Sequence, residues 1–196
     1  SSFGWIIGNE GGYKSKKAEI HLTKDGGITW GRTFLNLIGM PIKLLFINEL
    51  CGWVLDNFLA NDEDSFESNL YYTKDSGRTW KRVTNFNKQI LDFTVINDKK
   101  LIVVGENGFI SCSSNGGKTW SNHEYYDVNI NAINFLGEDV GLAVCDRGKI
   151  IYTETGGEKW IEIKNRIPDD FISVVLTDID QGFISSSHSI YSFAIE

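Results

Sequence analysis

The sequence predicts an all-β fold in which a four-stranded antiparallel unit repeats about five times, and three observations carry that prediction. The first is a box, Thr23-Lys24-Asp25-Gly26-Gly27-Ile28-Thr29-Trp30. It returns over Thr73–Trp80 and Ser113–Trp120, and in a worn form over Thr153–Trp160. The second is its spacing, 50 residues from Trp30 to Trp80, then 40 to Trp120 and 40 to Trp160. A period of about 40 residues of short strands and Gly-rich turns is that of propeller blades. The third is a short apolar run repeated at Phe3–Gly8, Gly52–Leu55, Leu101–Gly105, Gly141–Val144 and Gly182–Ile184. Runs of that length fit strands buried on both faces. The predicted fold class is therefore a β-propeller of four-stranded antiparallel blades, with the first and last blades incomplete.

Each element follows from that frame. The apolar run is the second strand of a blade, B. Strand C precedes each box, at Glu19–Thr23, Leu70–Thr73, Phe109–Ser113 and Ile150–Thr153. Strand D starts at each box tryptophan. Strand A follows at Ile42–Ile47, Ile90–Ile96, Ile130–Phe135 and Ile172–Leu176. The box is then the hairpin corner between C and D. Its third residue (Asp25, Asp75, Asn115) is expected to bond backbone N–H groups two residues on. The next two small residues supply positive φ. A buried indole (Trp30, Trp80, Trp120, Trp160) anchors one blade on its neighbour. Counting gives B, C and D for the first blade, three complete blades, and A, B and C for the last. The chain reads as one propeller domain over 1–196, with repeats near 1–37, 38–86, 87–126, 127–165 and 166–196. It is either five-bladed or an incomplete piece of a larger ring, whose open edges would invite dimerisation.

Composition narrows the function classes. A length of 196 residues with 41% hydrophobic and 13% aromatic residues suits one packed core. A net charge of −7 without a basic stripe argues against nucleic acid. No run approaches the roughly 18 apolar residues of a membrane span. The chain opens on Ser1-Ser2 and goes directly into a strand, so no signal peptide is visible, which leaves export open. Cys51, Cys112 and Cys145 lack CxxC spacing and have apolar neighbours, so buried free thiols are expected.

Two insertions fall between strands B and C. Glu10–Lys17 is basic, through Lys14, Lys16 and Lys17. Asn57–Asn69 is acidic, with Asp62, Glu63, Asp64 and Glu67 beside Phe58 and Phe66. Long loops on a rigid scaffold often carry function, so this face is the expected contact surface for a protein partner. Phe58 and Phe66 would anchor, and Asp62, Glu63 and Asp64 would steer a basic partner. On the same face Asn9, Asn57, Glu106, Asp146 and Ser187 end the B strands as a polar collar. The collar suits a glycan ligand, while Glu106-Asn107-Gly108 and Asp146-Arg147-Gly148 also read as ordinary hairpin turns. His21, His123 and His188 show no metal-ligand spacing, Ser187-His188 has no third partner in sequence, and no G-x-S-x-G elbow occurs. Neither a metal nor a cofactor is expected.

The boxes resemble the Asp-box, or bacterial neuraminidase repeat, Ser/Thr-x-Asp-x-Gly-x-Thr-Trp. Asp25, Gly27 and Trp30 match it, as do Asp75, Gly77 and Trp80. The third copy has Asn115 with Gly117 and Trp120. The fourth keeps Gly157 and Trp160 but carries Thr155 and Lys159, so its corner should be weaker. The resemblance implies that these residues are structural and lie away from any active site. The whole repeat, with strand A, Gly-Trp-x-x-Gly and the box, resembles the photosystem II stability/assembly factor type of propeller, and more distantly sialidase and sortilin types. That resemblance implies a non-enzymatic binding scaffold, exported to the periplasm, cell surface or medium. It brings no functional residue with it, because the family's basic patch has no match in this acidic chain.

Two alternatives stand beside the scaffold. One is a carbohydrate-binding or sialidase-like hydrolysing propeller using Glu106 and Asp146. Against it, Arg166-Ile167-Pro168 echoes the sialidase Arg-Ile-Pro motif only after the fourth box, whereas in sialidases it precedes the first. Arg32 and Arg78 also sit in or beside box corners, on the wrong face for a substrate carboxylate. The other alternative is a fragment of a larger repeat protein.

Overall fold

The structure is a computed structural model that describes residues 2–9, 17–59, 65–124 and 127–194. It divides into two compact units, Ser1–Gln89 and Ile90–Glu196. Five antiparallel sheets carry the fold, and the molecule is a β-propeller in fold class.

In the first unit a three-stranded sheet joins β1 (Gly4–Asn9), β2 (Lys17–Thr23) and β3 (Gly31–Asn36). A four-stranded sheet joins β4 (Met40–Phe46), β5 (Gly52–Leu59), β6 (Phe66–Thr73) and β7 (Lys81–Phe86). The second unit begins with β8 (Ile90–Val95), β9 (Leu101–Gly105), β10 (Phe109–Ser113) and β11 (Ser121–Glu124) in one sheet. A second holds β12 (Ile130–Leu136), β13 (Val140–Cys145), β14 (Ile150–Thr153) and β15 (Ile161–Ile163). The last holds β16 (Phe171–Leu176), β17 (Gln181–Ser186) and β18 (Ile190–Ala194). The expected order and the two incomplete ends are thus present. Strand D, however, starts one residue after each box tryptophan, because the indole closes the corner first.

Side chains alternate between the two faces of a strand, so a strand with a sheet on each side feeds two cores. In the second unit Ile102, Val104 and Ile110 pack against Ile133, Ala143, Cys145 and Ile151 of the next sheet. The other face of that sheet sets Leu142, Val144 and Ile150 against Phe171, Val174, Leu176 and Ile184. In the first unit Ala18, Ile20 and Leu35 meet Val54 and Tyr71. Side-chain hydrogen bonds tie the sheets of the second unit as well. The Ile133 amide donates to Asp92 Oδ2 (3.0 Å), and the Leu176 amide to Asn134 Oδ1 (2.9 Å). Each A–B pairing slips by one residue near its start, between Pro41 and Lys43, Ile90 and Asp92, Ile130 and Ala132, and Phe171 and Ser173. A bulge repeated at one place raises the local twist of these four sheets alike.

The box corners are built by hydrogen bonds that reach further than expected. The Thr29 amide, four residues on, donates to Asp25 Oδ1 (2.9 Å), while the Gly27 amide donates to Thr23 Oγ1 (2.8 Å). Thr79 and Asp75 repeat the first bond (2.9 Å), and Thr119 and Asn115 do so again (2.9 Å). In the fourth corner the Thr155 hydroxyl accepts from the Lys159 amide (2.9 Å), so the worn box keeps the turn. Gly26, Gly27, Ser76, Gly77, Gly116, Gly117, Gly156 and Gly157 all have positive φ. Each indole donates to its own box glycine carbonyl, at 2.9–3.1 Å.

The tryptophans are not uniformly buried. Trp160 is 8% exposed within its core and Trp80 packs against the core of the first unit, but Trp30 is 41% exposed. The indole buries only where a sheet lies on its side of the blade. Cys51, Cys112 and Cys145 are free thiols, and of the three only Cys145 is fully buried.

Candidate functional site

The described residues of the acidic insertion are nearly all strand. β5 runs through Leu59 and β6 starts at Phe66, so both ends of the expected loop over Asn57–Asn69 are strand. The cause is a regular ladder that continues through Asn57↔Ser68 and Phe58↔Glu67 to Leu59↔Phe66. The last rung with β4 is Met40↔Asn57, and with β7 it is Ser68↔Phe86. The two outermost rungs therefore form a two-stranded ribbon beyond the body of the sheet. Phe58 is half-buried, its Cβ beside Gly39, where an added Cβ would lie 2.1 Å from the Asn57 carbonyl oxygen. Phe66 is 39% exposed and Leu59 is 55% exposed. Asp62, Glu63 and Asp64 lie outside the described residues, as do Lys14 and Lys16 of the basic insertion, while Lys17 opens β2.

The base of the ribbon is held by a residue that sequence reading passed over. Asp56 is fully buried and accepts five hydrogen bonds. Its Oδ1 takes the Asn69 amide (3.1 Å) and Nδ2 (2.9 Å). Its Oδ2 takes the amides of Ile38 (3.1 Å) and Gly39 (3.0 Å) and the Tyr71 hydroxyl (3.2 Å). A buried carboxylate is tolerated when its lone pairs are filled in this way. Burial, reinforced by the Asp56 charge, pushes the Tyr71 phenol up to about 12. Beside it the Ser68 hydroxyl donates to Asn57 Oδ1 (2.6 Å). The available signal was an Asp at the end of the apolar run Trp53-Val54-Leu55, where only a filled hydrogen-bond set keeps a charge.

The collar residues of the second unit sit in tight turns. Asn107 (φ 53) and Gly108 (φ 68) follow Glu106, and Arg147 (φ 58) and Gly148 (φ 71) follow Asp146. Two successive left-handed residues are the hairpin geometry that an Asn-Gly pair favours. Asp146 Oδ1 accepts Asn131 Nδ2 (2.7 Å), which also donates to the Phe171 carbonyl (2.7 Å). Asn57 is buried in the other unit, and Ser187 Oγ lies 2.6 Å from His188 Nδ1.

A cleft of about 490 Å³ adjoins the Asp146 turn, lined by Arg147, Lys149, Glu162, Lys164 and Arg166 among others. Asn165 straps it: its Nδ2 donates to the Gly148 carbonyl (2.6 Å) and its Oδ1 accepts from the Ile167 amide (2.8 Å). The Arg166-Ile167-Pro168 segment is thus a tether on a turn. Among the described residues no three His, Cys, Asp or Glu side chains are grouped to hold a metal ion. Among the described residues no helix is long and apolar enough to cross a membrane.

Solved structures share this architecture at low identity. YCF48 bound to a D1 peptide superposes with a TM-score of 0.51 and 17% identity, covering 100% of this chain and 75% of that one. YCF48 from Cyanidioschyzon merolae gives 0.55 and 14%, covering 99% and 77%. Sqt1 of Saccharomyces cerevisiae gives 0.63 and 8%, covering 97% and 68%. No protein-family model matches the chain, and no curated protein matches it in sequence. At these identities the likeness is one of fold.

Proposed function

We propose that the chain is a non-catalytic Asp-box propeller that binds a protein partner through the β5–β6 ribbon. The carrying observation is that this hairpin projects past β4 and β7 while its base is locked by the five donors on Asp56. A ribbon that carries exposed apolar side chains on a hydrogen-bonded base suits recognition, since a preorganised surface loses little freedom on binding. The fold supports the same reading, because a propeller of this shape, YCF48, is described with a bound D1 peptide. Phe66 supplies an anchor, and the same stretch of sequence carries the acidic residues Asp62, Glu63, Asp64 and Glu67. Glu106 and Asp146 serve their turns in this reading.

The test is affinity capture from the source cells by the wild type and by a variant whose residues 58–68 are a Gly/Ser linker. Recovery of one protein by the wild type alone is expected. Equal recovery by both forms would move the contact surface elsewhere. A fluorogenic glycoside panel checks the catalytic alternative, with no turnover expected and no change in Glu106→Gln.

A further inference from the structure

We infer that the cleft beside the Asp146 turn binds a small molecule through a phosphate or sulfate group. The inference is independent of the protein-binding reading, because the β5–β6 ribbon and the cleft belong to different units. Arg147, Lys149, Lys164 and Arg166 line the cleft, against one carboxylate, Glu162. A chain of net charge −7 thus sets four of its 19 basic residues around one concavity. The volume of about 490 Å³ falls within the roughly 300–1,000 Å³ of small-molecule sites.

The blade itself does not require this charge. Ile150 pairs with Ile163, so the next rung toward the turn sets Lys149 opposite Lys164. Like charges directly opposite across two strands destabilise a sheet. The preceding sheet builds the same hairpin with Phe109 opposite Glu124 at that rung. Arg147 is a second costly choice. It holds φ 58, where the preceding turn has Asn107 at φ 53. Asn tolerates that left-handed conformation better than most residues do. Glu162, 3.5 Å from Lys149 Nζ, offsets only part of the positive charge.

Hydrogen bonds hold the backbone of the walls. Asn165 bonds both the Gly148 carbonyl (2.6 Å) and the Ile167 amide (2.8 Å), and Asp170 accepts the Arg147 amide (2.8 Å). Ile163 and Ile167 pack on the core beneath. The nearby acids are engaged elsewhere. Asp146 accepts from Asn131, and Asp127 meets Arg147 at 3.8 Å on exposed surface, where an ion pair is weak. Neither lines the cleft, nor does Asp170. A phosphate or sulfate group has oxygens enough to meet the two facing ammonium groups and the planar fork of an arginine together. Bound there, it would relieve the repulsion that the unliganded hairpin carries.

The test titrates the full chain with sodium pyrophosphate, sodium sulfate and sodium acetate at matched low ionic strength, by calorimetry and by melting temperature. Pyrophosphate or sulfate should bind and raise the melting temperature, and acetate should not. The tighter of the two names the group. Binding should weaken as sodium chloride is added. Lys164→Ser and Arg166→Ser should each weaken it at least about tenfold. Lys74→Ser, in the other unit, should leave it unchanged. Lys164→Glu, which copies Glu124 of the preceding sheet, should abolish binding while the ligand-free melting temperature is kept or raised. No binding of pyrophosphate or sulfate, an equal response to acetate, or wild-type binding by Lys164→Glu would overturn the inference.

Discussion

β13 and β17 hold the same place in successive sheets of one unit, yet they live in different solvents. Both pair with their A strands in the same register, with Leu142 opposite Asn134 and Phe183 opposite Val175. Every residue of β13 is buried, whereas β17 alternates between exposed and buried. Leu142 is 0% exposed and its counterpart Phe183 is 47% exposed. On the opposite face the counterparts Ala143 and Ile184 are both buried, at 0% and 2%. The difference lies on one side only: among the described residues of this unit, β13 packs against a sheet on each face and β17 on a single face. The sequence follows suit, with Ser185 where β13 has Val144, Ser173 where β12 has Ala132, and Ser192 where β14 has Tyr152. A blade face becomes apolar in proportion to what it packs against, as in other stacked repeats.

The largest test compares the two strands directly. Leu142→Ala should cost about 2–5 kcal/mol of unfolding free energy, the range for a filled core. Phe183→Ala should cost less than about 1.5 kcal/mol, because half of its surface already meets water. Chemical denaturation of both variants measures this, and equal losses would show that the outer face of β17 is covered in solution.

The loops at the two ends of β13 sharpen the contrast. Gly137 and Gly148 have nearly the same φ, +70° and +71°. A Cβ on Gly137 would meet nothing within 4 Å, but one on Gly148 would lie 1.6 Å from the Ile167 carbonyl oxygen. Gly137→Ala should cost about 1 kcal/mol of backbone strain, and Gly148→Ala clearly more. Thermal unfolding would separate them. Similar melting temperatures would mean that the Asn165 tether is not held in solution.

Acid offers a test of the corners that leaves the cores intact. Hydrogen bonds from the Thr29 side chain first, then its amide, then Thr23, hold the Asp25 carboxyl down at about 2. The folded value lies below the unfolded one, about 3.9, so the contribution is present above pH 4 and is lost as pH falls toward 2. Asp25→Asn should therefore differ from wild type at pH 7 and converge with it near pH 2, read from denaturation midpoints. The smallest effect concerns chemistry at the end of β13, where burial pushes the Cys145 thiol up to about 12. Iodoacetamide at pH 8 should leave Cys145 unmodified until the chain unfolds, as mass spectrometry would report.

The corners were legible because their bonds are local. Thr23, Asp25, Gly27 and Thr29 meet within four residues, and Thr155 replaces an Asp without loss of the turn because a hydroxyl also accepts an amide proton. The candidate site was legible only in part. The acidic composition between Asn57 and Asn69 was plain, but a polar, charged stretch reads as loop, so the ladder reaching Leu59 was missed. Asp56 was missed for a different reason. Its partners Ile38, Gly39, Asn69 and Tyr71 lie 13–18 residues away in the chain and come together only when β5 is seated.

By itself, then, the sequence determined the all-β repeat, the order of strands within each blade, the two incomplete ends and the positive-φ corners, since each depends on residues near one another in the chain. Tertiary structure decided which side chains are cores and which are surfaces. Trp30 and Trp160 occupy the same box position and differ in exposure from 41% to 8%, and Leu142 and Phe183 differ likewise. Burial is a property of the neighbouring sheet, and no residue's identity states what will lie beside it.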